Sequence, residues 1–198
     1  MAKKSSMITR PYEIRWHGRG GQGAITAAKI MAQAAYLKGY QGVTAAPSFG
    51  AERRGAPVSA STRISPQPVM VMSQVEKPDV VVVLDQTLLE DQDITSGLGR
   101  EGWLVVNSRQ SPEELKVNGD FNIATADASS VCRELGLIVA GLIVVNTAIL
   151  GAFVHATEIV DMASVEKAIR ERFSDNAVDI NLAAITKTYE ITRLQKIG

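Results

Sequence analysis

Short apolar stretches of the sequence predict its β-strands. Residues 80–84 are four valines and a leucine in succession, a run typical of a strand buried on both faces of a parallel sheet. Residues 12–16 alternate between polar and apolar side chains, which also favours a strand. Shorter stretches of similar character predict the other strands. These are residues 43–46, 58–64, 69–72, 103–107 and 122–125.

Helical spacing and helix-end signals separate these strands. Residues 24–37 are rich in Ala, Ile and Met, and Lys38 followed by Gly39 suits a helix C-terminus. A Ser-Pro-Glu-Glu sequence beginning at Ser111 marks the start of another helix, and Asp127 can cap a helix that continues to residue 135. The remaining predicted helices are residues 144–155, 165–173 and 176–194, and residues 86–98 are expected to contain a short helix.

The order of these elements predicts an α/β fold. We expect a single Rossmann-like domain with a mainly parallel sheet, a β-hairpin insertion and a helical C-terminal third. The hairpin would pair residues 58–64 with residues 69–72. Residues 1–10 are expected to form a flexible N-terminus and residues 11–198 one domain, which is long enough for a substantial core.

A glycine-rich turn between the first strand and the first helix is the leading candidate site. It consists of Gly18, Arg19, Gly20, Gly21, Gln22 and Gly23. The spacing fits the phosphate-binding fingerprint of dinucleotide folds, but it also fits a tight turn with close helix–strand packing. Dinucleotide sites need an acidic residue roughly 20 positions onward, and no acid occurs between Glu13 and Glu52. The side chains of Arg19 and Gln22 could instead bind an anion or a neighbouring chain.

A second candidate is the loop of residues 47–57, which is dense in Gly and Pro. Such loops are usually solvent-exposed turns. This one carries Glu52, Arg53 and Arg54 close to Phe49, which is the combination of aromatic anchor and guanidinium groups found at interfaces. The loop therefore predicts either an exposed turn or a contact with a ligand or partner.

Composition excludes several classes of function. Lys plus Arg and Asp plus Glu balance at 21 each, so nothing favours general nucleic-acid or membrane-surface binding. The most apolar stretch, residues 135–153, is interrupted by glycines and favours a strand or loop followed by a buried helix over a membrane span. One cysteine, Cys132, excludes an internal disulfide and a chain-held iron–sulfur cluster, and two distant histidines make a zinc site improbable. This cysteine usage favours a reducing cytoplasm.

No complete catalytic arrangement stands out in the sequence. Asp85, at the end of the valine-rich strand, could act as a base but more often would cap a helix. His17 could act in catalysis, although a structural role is the more common one for such a histidine. Cys132 is expected to be inert packing. The sequence alone therefore predicts an α/β module without a complete active site and without a metal site.

Four motifs in order resemble the gamma subunit of 2-oxoacid:ferredoxin oxidoreductases. They are Tyr-Glu-Ile-Arg-Trp-His-Gly-Arg-Gly-Gly-Gln-Gly-Ala (12–24), Phe-Gly-Ala-Glu-Arg-Arg-Gly-Ala-Pro-Val (49–58), Pro-Asp-Val-Val-Val-Val-Leu-Asp (78–85) and Asn-Thr-Ala-Ile-Leu-Gly-Ala-Phe (146–153). The resemblance covers nearly the whole chain. The first two motifs look most like the branch that acts on pyruvate and branched-chain oxoacids.

This resemblance implies an accessory role. The assembled enzyme would convert pyruvate, coenzyme A and oxidised ferredoxin to acetyl-coenzyme A, CO₂ and reduced ferredoxin. Thiamine diphosphate with Mg²⁺ would lie between alpha and beta subunits, and the iron–sulfur clusters on beta and delta subunits. No cofactor would be held by this chain alone. Its glycine turn and residues 52–54 would face partner subunits or coenzyme A, and the isolated subunit could self-associate.

Three alternatives stay open at this point. The chain could serve an oxidoreductase for a branched-chain or other 2-oxoacid. It could be a scaffold with no ligand contact. It could also be a free-standing nucleotide-binding oxidoreductase, as the glycine spacing alone would allow.

Overall fold

The computed structural model describes residues 10–48, 53–69, 73–90, 92–139 and 141–197. Seven strands of the described residues form one sheet in the order β2-β3-β1-β4-β5-β6-β9, and two more form a small hairpin. The strands are β1 (Tyr12–Arg19), β2 (Gly42–Pro47), β3 (Pro57–Ser65), β4 (Val80–Val83), β5 (Trp103–Asn107), β6 (Asn122–Ala126), β7 (Ile138–Val139), β8 (Leu142–Ile143) and β9 (Arg193–Gln195). The helices are α1 (Ala24–Lys38), α2 (Ala128–Glu134), α3 (Ile149–Thr157), α4 (Met162–Arg172) and α5 (Asp175–Ile191).

The centre of the sheet is parallel and its edges are antiparallel. Strands β1, β4, β5 and β6 pair in parallel, whereas β3 lies antiparallel between β1 and β2, and β9 pairs antiparallel with β6. The prediction of an α/β fold with a mainly parallel sheet is confirmed. Its inserted antiparallel element, however, consists of β2 and β3. Of the expected partner segment 69–72, residues 70–72 lie outside the described residues.

The two faces of the sheet are covered differently. On one face, Ile14 and Trp16 of β1 join a large core with α1 and α3, in which the rings of Trp16 and Phe153 stack 5.6 Å apart. The buried indole Nε1 of Trp16 donates to Thr62 Oγ1 at 3.0 Å. On the other face, Val81 and Val83 of β4 pack with a smaller cluster from the connecting segments. The valine run is thus buried on both sides, as predicted.

Several predicted helices differ from the observed elements. Residues 86–98 contain two 3₁₀ stretches, Gln86–Glu90 and Gln92–Thr95, and the predicted helix after Ser111 is the single 3₁₀ turn Pro112–Glu114. The last helix ends at Ile191 and is followed by β9.

The apolar stretch 135–153 forms short strands followed by a buried helix, as the sequence predicts. It contains the β7–β8 hairpin and the beginning of α3, which starts at Ile149 rather than at residue 144. In the part of the chain that the structure describes, no helix has the length and hydropathy needed to cross a bilayer. The expected flexible terminus, residues 1–10, lies outside the described residues except for Arg10.

Candidate functional site

The candidate site lies at the carboxyl ends of the parallel strands. After β1 the chain enters α1, which packs on one face of the sheet, whereas after β4 it enters the 3₁₀ stretches on the other face. A crevice opens where neighbouring strands send their connections to opposite faces, and open α/β sheets bind ligands there. The glycine turn, Asp85 and the end of β5 all meet at this edge.

The glycines of the turn make room for other parts of this same chain. A Cβ atom at position 20 would lie 2.1 Å from the carbonyl oxygen of Arg53, and one at position 23 would lie 2.6 Å from Asn146 Nδ2. Gly23 also has a φ of 82°, which favours glycine. Close packing against Arg53 and Asn146 therefore explains why glycine is needed at positions 20 and 23. This agrees with the tight-turn interpretation and gives no support to a dinucleotide cradle.

Arg19 and Gln22 converge on Asp85. Arg19 Nε donates to Asp85 Oδ2 at 3.2 Å, and Gln22 Nε2 donates to the same oxygen at 3.2 Å. Gln22 Oε1 in turn accepts from the backbone N–H of Arg19 at 2.8 Å. Asp85 Oδ1 accepts from the hydroxyl and the backbone N–H of Thr87 at 2.7 and 3.0 Å. The predicted site residues Arg19 and Gln22 are therefore held in place, and Asp85 is their common partner.

The environment of Asp85 favours its ionised form. Burial raises the pKa of the carboxyl, but the hydrogen bonds from Thr87 and Gln22 and the charge of Arg19 outweigh it, so the pKa falls below its usual value. A carboxyl with a lowered pKa is a weak base near neutral pH. Asp85 is therefore suited to positioning its neighbours rather than to accepting protons.

The second candidate loop is bound directly to the glycine turn. The backbone N–H of Gly20 donates to Ala56 O at 2.8 Å, and that of Gly55 donates to Gly20 O at 3.0 Å. Arg19 Nη1 also donates to Gly55 O at 3.3 Å, and Gly20 forms a parallel β-bridge with Arg54. Residues 18–23 and 53–56 together form one surface, which we call the platform. Glu52 of the predicted site lies outside the described residues.

Arg53 and Arg54 are exposed on this platform. Their backbone is fixed by the contacts with Gly20, while their side chains reach solvent. The sequence predicted each of the two motifs separately, but it did not predict that they would contact each other. Exposed guanidinium groups on a fixed backbone suit the recognition of carboxylates or phosphates.

A polar crevice of about 420 Å³ lies beside the platform. Asn107, at the end of β5, donates to Leu84 O and Ser129 Oγ, both at 2.8 Å. Asp127 caps α2 as predicted, accepting from Ser130 N at 2.9 Å, and pairs with Arg109 Nε at 3.1 Å. Sequence reasoning missed Asn107 and Arg109, although their position directly after a buried strand was a usable signal.

The other single residues considered from the sequence lie elsewhere. Cys132 is buried, and burial raises the pKa of its thiol to about 12, which suits inert packing. His17 does not line the crevice. It lines a different pocket, on the face of the sheet that is turned away from α1. Among the described residues, no group of three or more His, Cys, Asp or Glu side chains could hold a metal ion.

Comparison with known proteins decides the family. A family model described as pyruvate ferredoxin/flavodoxin oxidoreductase matches residues 13–191, which is most of the chain. The chain belongs to this family. The resemblance that the four motifs indicated is thereby confirmed.

Relatives within the pyruvate ferredoxin/flavodoxin oxidoreductase family match over almost their full length. The chain is 47% identical to the common gamma subunit of the pyruvate and ketoisovalerate oxidoreductases of Pyrococcus furiosus, over 92% of this chain and 97% of that one. It is 45% identical to pyruvate synthase subunit PorC of Methanosarcina barkeri, over 91% of this chain and 97% of that one. The crystal structure of pyruvate oxidoreductase subunit PORC from Thermotoga maritima is 37% identical, covers 94% of this chain and 99% of that one, and has a TM-score of 0.82.

Proposed function

We propose that this chain is the gamma subunit of a multi-subunit, thiamine-dependent 2-oxoacid:ferredoxin oxidoreductase that acts on pyruvate. The assembled enzyme would oxidise pyruvate with coenzyme A to acetyl-coenzyme A and CO₂ while reducing ferredoxin. The observation that carries the proposal is the match to gamma and PorC subunits over 97% of the length of two curated relatives. A branched-chain 2-oxoacid is the alternative substrate, because the Pyrococcus furiosus gamma subunit is common to two oxidoreductases.

The proposed role of the chain is accessory rather than catalytic. Thiamine diphosphate, with Mg²⁺, would supply the stabilisation of the carbanion formed on decarboxylation, and we place it on alpha and beta subunits. Iron–sulfur clusters would lie on beta and delta subunits and pass electrons to ferredoxin. The residues of this chain do not fit a cluster, because its one cysteine is buried and has a raised pKa. We place the whole complex in the cytoplasm, and we take residues 11–198 to act as one domain.

We propose that the platform contacts a partner subunit. Its backbone is held rigidly by the hydrogen bonds between Gly20 and residues 55–56, and rigid surfaces lose little entropy on binding. Beside it, the β7–β8 hairpin touches the glycine turn through Leu142 and exposes Ile138 and Val139 by 51% and 63%. Exposed apolar side chains next to exposed arginines are typical of the centre and rim of an interface. The same apolar pair would favour self-association of the isolated chain.

Coenzyme A is the second candidate contact of the platform, favoured by the exposure of Arg53 and Arg54. Coenzyme A carries several phosphate groups, which guanidinium groups bind well. The crevice itself contains the carboxylates of Asp85 and Asp127, which would repel phosphates. Its amide and hydroxyl groups, such as those of Asn107 and Ser108, suit the neutral parts of such a ligand. The phosphates would therefore lie nearer to Arg53 and Arg54 than to the crevice.

Variants of the two exposed arginines test these roles. The chain would be co-expressed with its alpha, beta and delta partners, carrying Arg53→Ala or Arg54→Ala, with Arg170→Ala as the control. Arg170 is an exposed arginine on α4 that pairs with Glu166. Yield of the intact complex would be measured by size-exclusion chromatography, and the KM for coenzyme A would be measured on the complex that remains.

The two contacts give different results. Loss of a subunit contact should lower the yield of complex severalfold and leave the KM for coenzyme A unchanged. Loss of a phosphate contact should leave the yield intact and raise that KM by about tenfold, the effect of one charged hydrogen bond. If both variants match Arg170→Ala in yield and KM, the proposed role of the platform is wrong.

A further inference from the structure

A polar patch occupies the face of the sheet that is turned away from α1. The register of β1, β3 and β2 places side chains on this face in rows across the three strands. Arg15 pairs with Ser61, and His17 pairs with Ser59. The backbone N–H of Ser48 donates to Ser59 O at 2.9 Å, so Ser48 extends the second row. Arg15 and His17 alternate along β1 with Ile14 and Trp16, whose side chains point into the apolar core on the other face.

These rows line a pocket, which we call the serine pocket. Its volume is about 270 Å³, and it is lined by Arg15, His17, Ser48, Ser59 and Ser61 of the rows, by Ala46 and Pro47 of β2, and by residues 73–75. The neighbouring pair Arg63 and Glu13 closes the side of the patch, with Arg63 Nε donating to Glu13 Oε1 at 2.7 Å. Arg63 Nη2 also donates to Ser73 O at 2.6 Å, which fixes the opposing segment. The serine pocket is therefore a built cavity and is separate from the crevice.

Arg15 brings a positive charge to this pocket and forms no ion pair with a carboxylate of the described residues. Its Nη2 donates to the carbonyls of Ile94 and Ser96 at 2.9 and 2.6 Å. Its Nε is buried and has no hydrogen-bond partner among the described residues. Burial also lowers the pKa of Arg15. Glu13, the acid nearest along the strand, is already engaged by Arg63.

A partly buried guanidinium without a counter-charge is costly in a folded protein. The cost is offset when an anion binds beside it, and serine hydroxyls are the usual companions of such anions because they donate without adding charge. The volume of the pocket exceeds that of a bare phosphate or carboxylate, so the anion would carry a small organic group.

We propose that the serine pocket binds the phosphate or carboxylate group of a small molecule, with Arg15 as its charged ligand and Ser48, Ser59 and Ser61 as hydroxyl donors. None of the described residues that line it belongs to the platform. The inference does not depend on the proposed function, since it concerns this chain alone.

The test uses the full chain labelled with ¹⁵N and titrated with inorganic phosphate, then with acetate, against chloride at equal ionic strength. Amide shifts should saturate and cluster at residues 46, 48 and 59–61. Arg15→Gln should weaken phosphate binding at least tenfold, and Ser61→Val, which fills part of the pocket, severalfold. The matched control Arg170→Gln should bind like the unchanged chain.

Folding of each variant would be checked from its spectrum, and Ser61→Val keeps the test valid if Arg15→Gln fails to fold. Shifts that do not saturate, or that persist in both pocket variants, would overturn the proposal. It would also be overturned if the isolated chain bound neither anion while Arg15→Gln blocked assembly with partner subunits. In that case the pocket would receive a partner's acidic side chain instead of a small molecule.

Discussion

Substitution of Gly20 by alanine tests whether the platform depends on close backbone packing. The added Cβ would lie 2.1 Å from the carbonyl oxygen and 2.9 Å from the carbonyl carbon of Arg53, both backbone atoms that cannot rotate away. Gly20 does not have a positive φ, so the backbone conformation itself tolerates alanine. The whole effect of the substitution therefore comes from separating the glycine turn from residues 53–56.

The size of the effect follows from the contacts that would be lost. Two backbone hydrogen bonds join Gly20 to Ala56 and Gly55, at 2.8 and 3.0 Å. Each contributes about 0.5–1.5 kcal/mol, and overpacking adds about 1–3 kcal/mol, so we expect a loss of about 2–6 kcal/mol. For a chain of this size, that corresponds to a fall in Tm of about 4–24 °C.

Thermal and urea unfolding of Gly20→Ala would measure this loss, with Gly99→Ala as the control. Gly99 has open space around its Cα and no positive φ, so its substitution should change stability by less than about 0.5 kcal/mol. Trypsin cleavage after Arg53 and Arg54 should also become faster in Gly20→Ala, because the loop is released. If Gly20→Ala unfolds like Gly99→Ala and resists trypsin equally, the account of the platform is refuted.

Two titratable groups give further predictions. Because the fold lowers the pKa of Asp85, its carboxylate stabilises the native state above the ordinary pKa of about 3.9, and this contribution is lost as the pH falls further. Asp85→Asn should therefore lower the free energy of unfolding by about 1–2 kcal/mol at pH 7. In urea unfolding, the difference in stability between the unchanged chain and Asp85→Asn should shrink below about pH 4. A difference that stays constant with pH would contradict this prediction. Cys132, whose pKa burial raises to about 12, should resist iodoacetamide at pH 8 in the folded chain and react after unfolding, as mass spectrometry would show.

Strong local patterns in the sequence predicted much of the fold. The valine run of β4, the alternating start of β1 and the capped helix after Asp127 were each specified by their own residues. The glycine spacing predicted a strand–turn–helix unit correctly. It could not distinguish a phosphate cradle from tight packing, because that depends on whether Asn146 and the carbonyl of Arg53 fill the space beside the glycines.

Elements specified by distant partners were missed. Strand β9 has only three residues and pairs through its backbone with β6, so no apolar run marks it. Residues 86–98 were predicted to contain a short α-helix, yet they form two 3₁₀ stretches, and the buried Leu88 and Ile94 are six positions apart and do not share a helix face. The contact of Arg19 with Asp85 and Gly55 likewise depends on how β1, β4 and the 53–56 loop come together. Local sequence carries no signal for contacts of that range.

Omission of this chain from a reconstituted enzyme tests the central claim most directly. Pyruvate-dependent reduction of ferredoxin, in the presence of coenzyme A, would be measured with alpha, beta and delta subunits, with and without this chain, and with this chain alone. We predict no turnover by this chain alone and strong activity only when all four subunits are present. Turnover by the isolated chain, or full activity of the other subunits without it, would contradict the account.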